Sequence, residues 1–225
     1  MNSSEHNIGT ALEGVSYVGK TTTLKCLSER DKKVIVVPEY FQIGVPPKFD
    51  RTNLADAKAA SNIIIDLEKR RTDYLNDRLA KPGRFIVFWD RSPVSCIAFD
   101  YALEQTGYVG SLHYLAERFQ REYVDGNIIL PQSYAFLYLS LKDIQERERC
   151  MLERGHRKNL GFLSEPEVIG HFNFVYDQFQ TISSHTMRIN SADFVPEQIA
   201  NMVLNFALIP SEHEKFDFQK FAGML

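Results

Sequence analysis

Near the start of the chain, Gly14-Val15-Ser16-Tyr17-Val18-Gly19-Lys20-Thr21 follows the pattern G-x-x-x-x-G-K-T. Its glycines let successive backbone N–H groups turn inward, where a side chain would collide with an anion. Lys20 supplies a point charge toward the outer phosphates of a triphosphate, and the Thr21 hydroxyl can ligate Mg²⁺. The pattern has this meaning between a strand and a helix. Residues 8–13 are apolar enough for a short buried strand, and residues 22–30 hold helix formers with Leu24 and Leu27 at helical spacing. The anion would also sit at the positive end of that helix, with Thr22 in its first turn. The alternative is a glycine loop that merely caps a helix. With both flanks in place, the stretch reads as a nucleoside triphosphate site, a P-loop.

Two further polar groups stand directly after apolar runs. Residues 33–37 are β-branched and end at Pro38, and Glu39 follows; residues 84–89 are a third apolar run, and Asp90-Arg91-Ser92-Pro93 follows. Ligands in open α/β sheets gather at the carboxyl ends of strands, so these positions are candidates for chemistry. Asp90 can hold Mg²⁺ directly or through water, and Arg91 can clamp a phosphate. The plainer alternative is that Asp90 caps the next helix while Arg91 makes a surface ion pair. Residues 41–53, with Gly44, Pro46 and Pro47, read as a loop over the site.

The remaining elements must position these groups. A long helix is predicted over 54–79, with Ala60, Ile63, Ile64, Leu67, Tyr74 and Leu75 as its apolar stripe; Arg71 interrupts the stripe, and Asn62, Asp66, Lys69 and Arg70 lie beside it. Residues 94–124 read as two helical pieces broken at Gly107 and Gly110, residues 134–139 as a fourth strand, and residues 142–154 as a charged helix. On that helix Arg147 and Arg149, among Glu146, Glu148 and Glu153, read as a salt-bridged face. Arg154-Gly155-His156-Arg157-Lys158 is less diluted by acids and reads as a basic lid over about 154–163. Ser164-Glu165-Pro166-Glu167 has capping-box spacing and opens a helix to about 182. A fifth strand over 185–190 and a helix over 195–208 follow.

Strands alternating with helices predict an α/β protein: a three-layer P-loop NTPase fold with a five-stranded parallel sheet, helices on both faces and the basic lid. A chain of 225 residues suits one such domain, here residues 1–209, with a tail over 210–225. Phe216, Phe218 and Phe221 in the tail suggest packing, with a second copy of the chain as a candidate partner in a homodimer. A net charge of −3 gives no reason to expect nucleic acid or an anionic membrane as partner. No apolar run approaches the roughly 20 residues of a membrane span. Cys26, Cys96 and Cys150 are scattered without a C-x-x-C pair, which fits a reducing cytoplasm. A GTPase would carry a guanine-reading N-K-x-D, and the chain has none.

These motifs together resemble the deoxynucleoside kinase and thymidylate kinase group of P-loop kinases. Glu13-Gly14 running into Gly19-Lys20-Thr21-Thr22 is similar to that group's E-G-x-x-x-x-G-K-T-T. Val36-Val37-Pro38-Glu39-Tyr40 resembles V-V-P-E-P, Asp90-Arg91-Ser92 resembles E-R-S with Asp for Glu, and Arg154-Gly155-His156-Arg157 resembles the lid's R-G-R. The likeness runs in order from residue 10 to about 180. It implies that Glu39 is the base that activates a sugar 5′-hydroxyl, with ATP and Mg²⁺ bound at the P-loop. It departs from the family at several places. His156 takes the place of a lid Arg, which Arg157 would supply, and Asn159 that of a Glu contacting the sugar 3′-hydroxyl. Cys96 replaces an Asp that helps choose the base, and Asn62 could offer the amide of a base-reading Gln.

The resulting expectation is an ATP-dependent kinase whose partner is a small nucleoside or nucleotide. Lys20, Glu39, Arg91, Arg154 and Arg157 would be catalytic. Thr21 and Asp90 would hold the metal, and Glu39, Asn62, Arg91 and Cys96 would meet the acceptor. Asp90-Arg91 with Ser95, Ala98 and Phe99 also resembles thymidylate kinase's D-R-Y-x-x-S-x-x-A-Y, so a nucleoside monophosphate acceptor stays open. That acceptor would need an extra cation, from Arg71 or Lys69. A non-nucleoside acceptor and a non-catalytic nucleotide-binding subunit remain alternatives.

Overall fold

The computed structural model describes residues 9–48, 51–155, 161–210 and 216–225. Its centre is a sheet of five parallel strands in the order β2-β3-β1-β4-β5. They are β1 (Thr10–Glu13), β2 (Val34–Val37), β3 (Ile86–Asp90), β4 (Ser133–Tyr138) and β5 (Thr186–Asn190). β1 and β4 are buried along their whole length, as inner strands of a parallel sheet are, and the burial takes in Thr10 and Glu13 of β1 and Ser133 of β4. A parallel sheet needs crossover connections, and helices supply them. They are α1 (Lys20–Arg30), α2 (Tyr40–Ile43), α3 (Leu54–Leu79), α4 (Pro93–Gln105), α5 (Leu112–Val124), α6 (Leu141–Glu153) and α7 (Pro166–Ile182), while α8 (Pro196–Ala207) and α9 (Phe218–Ala222) follow β5.

The register explains where the chemistry collects. Leu12 pairs with Asp90, and Val37 pairs with Trp89. Glu39 and Arg91 are therefore each two residues beyond a matched pair, and Gly14 is two beyond Leu12. Three neighbouring strands deliver these groups to one edge, beside the central β1. The Arg91 N–H continues the ladder by donating to the Leu12 carbonyl at 3.2 Å.

Several expectations need correction. Residues 41–53 are not loop throughout: Tyr40 to Ile43 form a helical turn, because the buried Tyr40 ring anchors it beneath Arg71. The stripe of α3 turns Ile65 inward and leaves Ile63 exposed, and Glu68 and Arg71 are as buried as its aliphatic residues. Ser164 does not cap α7. A 3₁₀ turn over Gly161–Ser164 uses its hydroxyl, which donates to the Gly161 carbonyl, so Glu165 becomes the N-cap with Pro166 in the first turn. The rings of the tail pack on this chain itself: Phe218 stacks on Phe119 of α5, and Phe216 and Phe221 lie against Phe179 of α7. No helix among the described residues is long and apolar enough to cross a membrane.

Candidate active site

The P-loop is shaped by residues whose conformations its sequence permits. Gly14 has a φ of +134°, and a Cβ there would lie 2.4 Å from the Leu137 carbonyl oxygen, so only glycine fits. Gly19, at φ +104°, meets no such wall; its constraint is conformational, and it opens directly into α1. Val15 and Val18 bury their side chains in the core and so fix the loop's backbone from below. Ser16 and Tyr17 are half-buried, while Thr21 and Thr22 are exposed in the first turn of α1. Lys20 folds back over the loop, donating to the carbonyls of Gly14 at 2.7 Å and Val15 at 2.9 Å. Burial, and then the neighbouring Arg91 charge, push the Lys20 ammonium down to about 7 against the pull of Asp90, Glu39 and Glu13.

Thr21 Oγ1 lies 3.5 Å from Asp90 Oδ2, and Asp90 Oδ1 is buried with no hydrogen-bond partner among the described residues. Burial raises the Asp90 carboxyl above its usual range, and Lys20 works against that rise. A hydroxyl and a carboxylate with an unused oxygen are hard donors of the kind Mg²⁺ selects, and they fit an ion whose other positions are filled by phosphates and water. Among the described residues no cluster of three His, Cys, Asp or Glu side chains offers an all-protein cage.

Arg91 is the hub. Its Nε donates to Glu39 Oε1 at 2.6 Å, and its Nη1 donates to the Gly14 carbonyl at 3.0 Å and to Ser95 Oγ at 3.3 Å. The surface ion pair is therefore not what forms: the Arg91 and Glu39 side chains are 14% and 16% exposed. Ser95 in turn donates to Glu13, and its oxygen lies 3.0 Å from the Tyr176 hydroxyl. Burial raises the Glu13 carboxyl, while the Ser92 and Ser95 hydroxyls and the Arg91 and Lys20 charges oppose it.

Arg91 adopts a φ of +66°, a left-handed conformation that a non-glycine residue keeps only when its surroundings impose it. Arg71 imposes it. From the buried face of α3 its Nη2 donates to the Asp90 carbonyl at 3.2 Å and the Arg91 carbonyl at 2.6 Å, while Nη1 pairs with Glu68 at 2.7 Å. The guanidinium also lies 4.4 Å from the centre of the Tyr40 ring. Cys96 is buried against this group, and burial pushes its thiol up to about 12. The sequence reading missed Glu68 and the buttressing role of Arg71, although charges three apart on an apolar stripe were a legible signal of a buried pair.

The structure brings together Lys20, Thr21, Glu39, Asp90, Arg91 and, behind them, Cys96. It does not bring Asn62 to this cluster. Asn62 accepts from Tyr114 at 3.0 Å and from Arg118 at 2.8 Å, on the side of α3 facing α5. Lys69 lies on that side too, paired with Glu122 at 2.9 Å. Arg149 lies on an exposed salt-bridged face with Glu146 and Glu153, but Arg147 does not. It shares the inward face of α6 with Ile144 and reaches the P-loop, donating to the Tyr17 carbonyl at 3.1 Å. Arg154 caps the end of α6 in an exposed position. His156, Arg157, Lys158 and Asn159 lie outside the described residues.

No protein-family model matches the sequence, and no curated protein matches it. Among solved structures the chain is similar to a deoxyadenosine kinase from M. mycoides, solved with the products dCMP and dCDP bound. That match has a TM-score of 0.58 at 13% identity and covers 88% of this chain and 97% of the other. The chain shares the α/β fold of that protein.

Proposed function

We propose that the protein is an ATP-dependent nucleoside kinase that transfers the γ-phosphoryl group to the 5′-hydroxyl of a nucleoside, a deoxynucleoside by the resemblance of its motifs. The observation carrying this reading is the Arg91 guanidinium, which bonds Glu39 and the P-loop carbonyl of Gly14 at once. One planar group spans the distance between them, so a carboxylate base stands beside the phosphate cradle. Among the described residues only Oε1 of Glu39 is engaged, and Oε2 is left to accept the hydroxyl proton as the oxygen attacks in line. Lys20 would exchange its loop carbonyls for the outer phosphates. Mg²⁺ would be held by Thr21 and Asp90 and would neutralise charge on the phosphate oxygens. Arg91, with Arg154 and Arg157 from the lid, would stabilise the transferring group.

The acceptor is argued from the cations. A monophosphate acceptor would need a positive group for its own phosphate, and the two candidates are committed elsewhere: Arg71 to Glu68 and the strained turn, Lys69 to Glu122. A nucleoside makes no such demand. The deoxyadenosine kinase sharing the fold supports the same class. A cytoplasmic location belongs to this proposal, in keeping with the free thiols of Cys26, Cys96 and Cys150.

The test is an ADP-release assay with Mg-ATP against separate panels of nucleosides and nucleoside monophosphates. Turnover is expected with a nucleoside. Turnover only with a monophosphate would refute the assignment of the acceptor and reduce Glu39 to positioning, and silence on both panels would refute the kinase reading. A second expectation concerns protons. With Lys20 held at about 7 in the free protein, ATP binding at pH 8 should restore the ammonium and take up about one proton. Affinity then declines as the pH rises above about 7. Calorimetry in two buffers of different ionisation enthalpy reads the uptake directly, and equal heats would contradict it.

A further inference from the structure

We infer that Arg147 is a positioning residue for polyphosphate binding: from α6 it pins the Tyr17 carbonyl outward and so aims the Val18 N–H into the hollow of the P-loop. The inference rests on the proposed nucleotide reading of that loop. Arg147 donates from Nη1 to the Tyr17 carbonyl at 3.1 Å and from Nη2 to the Ser191 carbonyl at 3.0 Å. In a trans peptide the C=O and the next N–H point in opposite directions. A Tyr17 carbonyl held toward α6 therefore sends the Val18 N–H across the loop, where phosphate oxygens need donors.

Three further observations fit this role. Tyr17 sits at a φ of +65°, left-handed without being glycine, so its peptide needs an external hold. Ser191, the other anchor, is itself fixed, because its N–H and hydroxyl both donate to the Tyr138 carbonyl, at 2.9 Å and 3.1 Å. The constraint thus runs from the carboxyl end of β4 through Ser191 and Arg147 to the crest of the loop. Finally, the guanidinium lies against the loop: a Cβ on Gly19 would be 3.8 Å from Arg147 Nη1. A planar fork can hold two carbonyls at fixed angles, and a lysine's single ammonium on a flexible stem cannot reproduce that geometry.

The experiment measures binding of ATP and of inorganic tripolyphosphate to the wild type, Arg147→Lys, Arg147→Met and, as a control on the exposed face of α6, Arg149→Ala. Losing a charge-assisted hydrogen bond that orients the loop should weaken both ligands by the same factor, about 10–100-fold, in both Arg147 variants. In turnover the KM for ATP should rise with that factor while the KM for the acceptor holds, and Arg149→Ala should match the wild type. Weaker ATP binding with unchanged tripolyphosphate binding would overturn the inference, because Arg147 would then act on the nucleoside end. Unchanged binding of both, with only a lower Tm, would overturn it in favour of a brace for α6. Arg147→Lys, which keeps charge and stem, carries the test if Arg147→Met does not fold. Failure of the wild type to bind either ligand would instead remove the nucleotide reading, and this inference with it.

Discussion

Replacing Lys20 with methionine is expected to take phosphoryl transfer to background, a loss of at least about 10³-fold, while the fold survives. Methionine matches the length and burial of the stem but offers the outer phosphates no charge. The loss should appear in kcat as well as in nucleotide affinity, because the charge on the transferring group spreads as the reaction proceeds. The same substitution has a signed effect on stability. Lys20 drops from an ordinary value of 10.5 to about 7 on folding, so between those values the unfolded chain holds the extra proton. Wild-type stability therefore rises with pH across that window, and below it the buried charge is carried at full cost. The variant lacks the group. Its Tm relative to wild type should be most favourable near about pH 6 and should decline toward about pH 9. A Tm difference that is flat or grows with pH would show that Lys20 is not held in a depressed state, and turnover that survives the substitution would remove it from the chemistry.

Much of the candidate site's geometry was legible because its constraints are local. A loop that must point N–H groups at an anion needs Gly14 and Gly19, and those glycines stand at fixed spacing from Lys20 whatever surrounds them. The placement of Glu39 and Asp90-Arg91 was legible for a related reason: each stands at the carboxyl end of a strand, where ligands gather in parallel sheets. The bounds of α3, Leu54 to Leu79, also agree with its apolar stripe.

What escaped the sequence depends on contacts between distant parts of the chain. Arg71 reads as a break in an apolar stripe until Glu68 and the turn at Asp90 and Arg91 are seen to absorb its charge. Arg147 stands among alternating charges and looks like its neighbour Arg149. Only the placement of α6 over the P-loop separates the two. Asn62 shows the opposite error, since an amide on the right helix faces α5 rather than the site. The tail was unreadable because its anchor, Phe119, is remote in sequence and carries no local sign of the partnership. The strand order has the same character. Alternation of strands and helices gives the class, and tertiary packing settles which strands are neighbours.

Glu39→Gln is the sharpest test of the mechanism because of what it preserves. The amide carbonyl of Gln can still accept the Arg91 Nε–H bond that Glu39 Oε1 now accepts at 2.6 Å. Arg91 also keeps its contacts to Gly14 and Ser95, and the strained turn keeps its hold from Arg71. What the variant cannot do is take a proton. The expected result is a fall in kcat of about 10²–10⁴-fold, with ATP affinity little changed. Glu39→Asp complements it by keeping a carboxylate but withdrawing it by one methylene, so it should recover part of the rate. Arg91→Met should damage both the ATP end and the acceptor end, since one guanidinium serves both. If Glu39 only held Arg91 in place, Glu39→Gln would turn over close to the wild-type rate and Glu39→Asp would be the poorer enzyme. The opposite ranking, Asp above Gln, is the result that a general base requires, and single-turnover measurements with saturating ATP would separate the two.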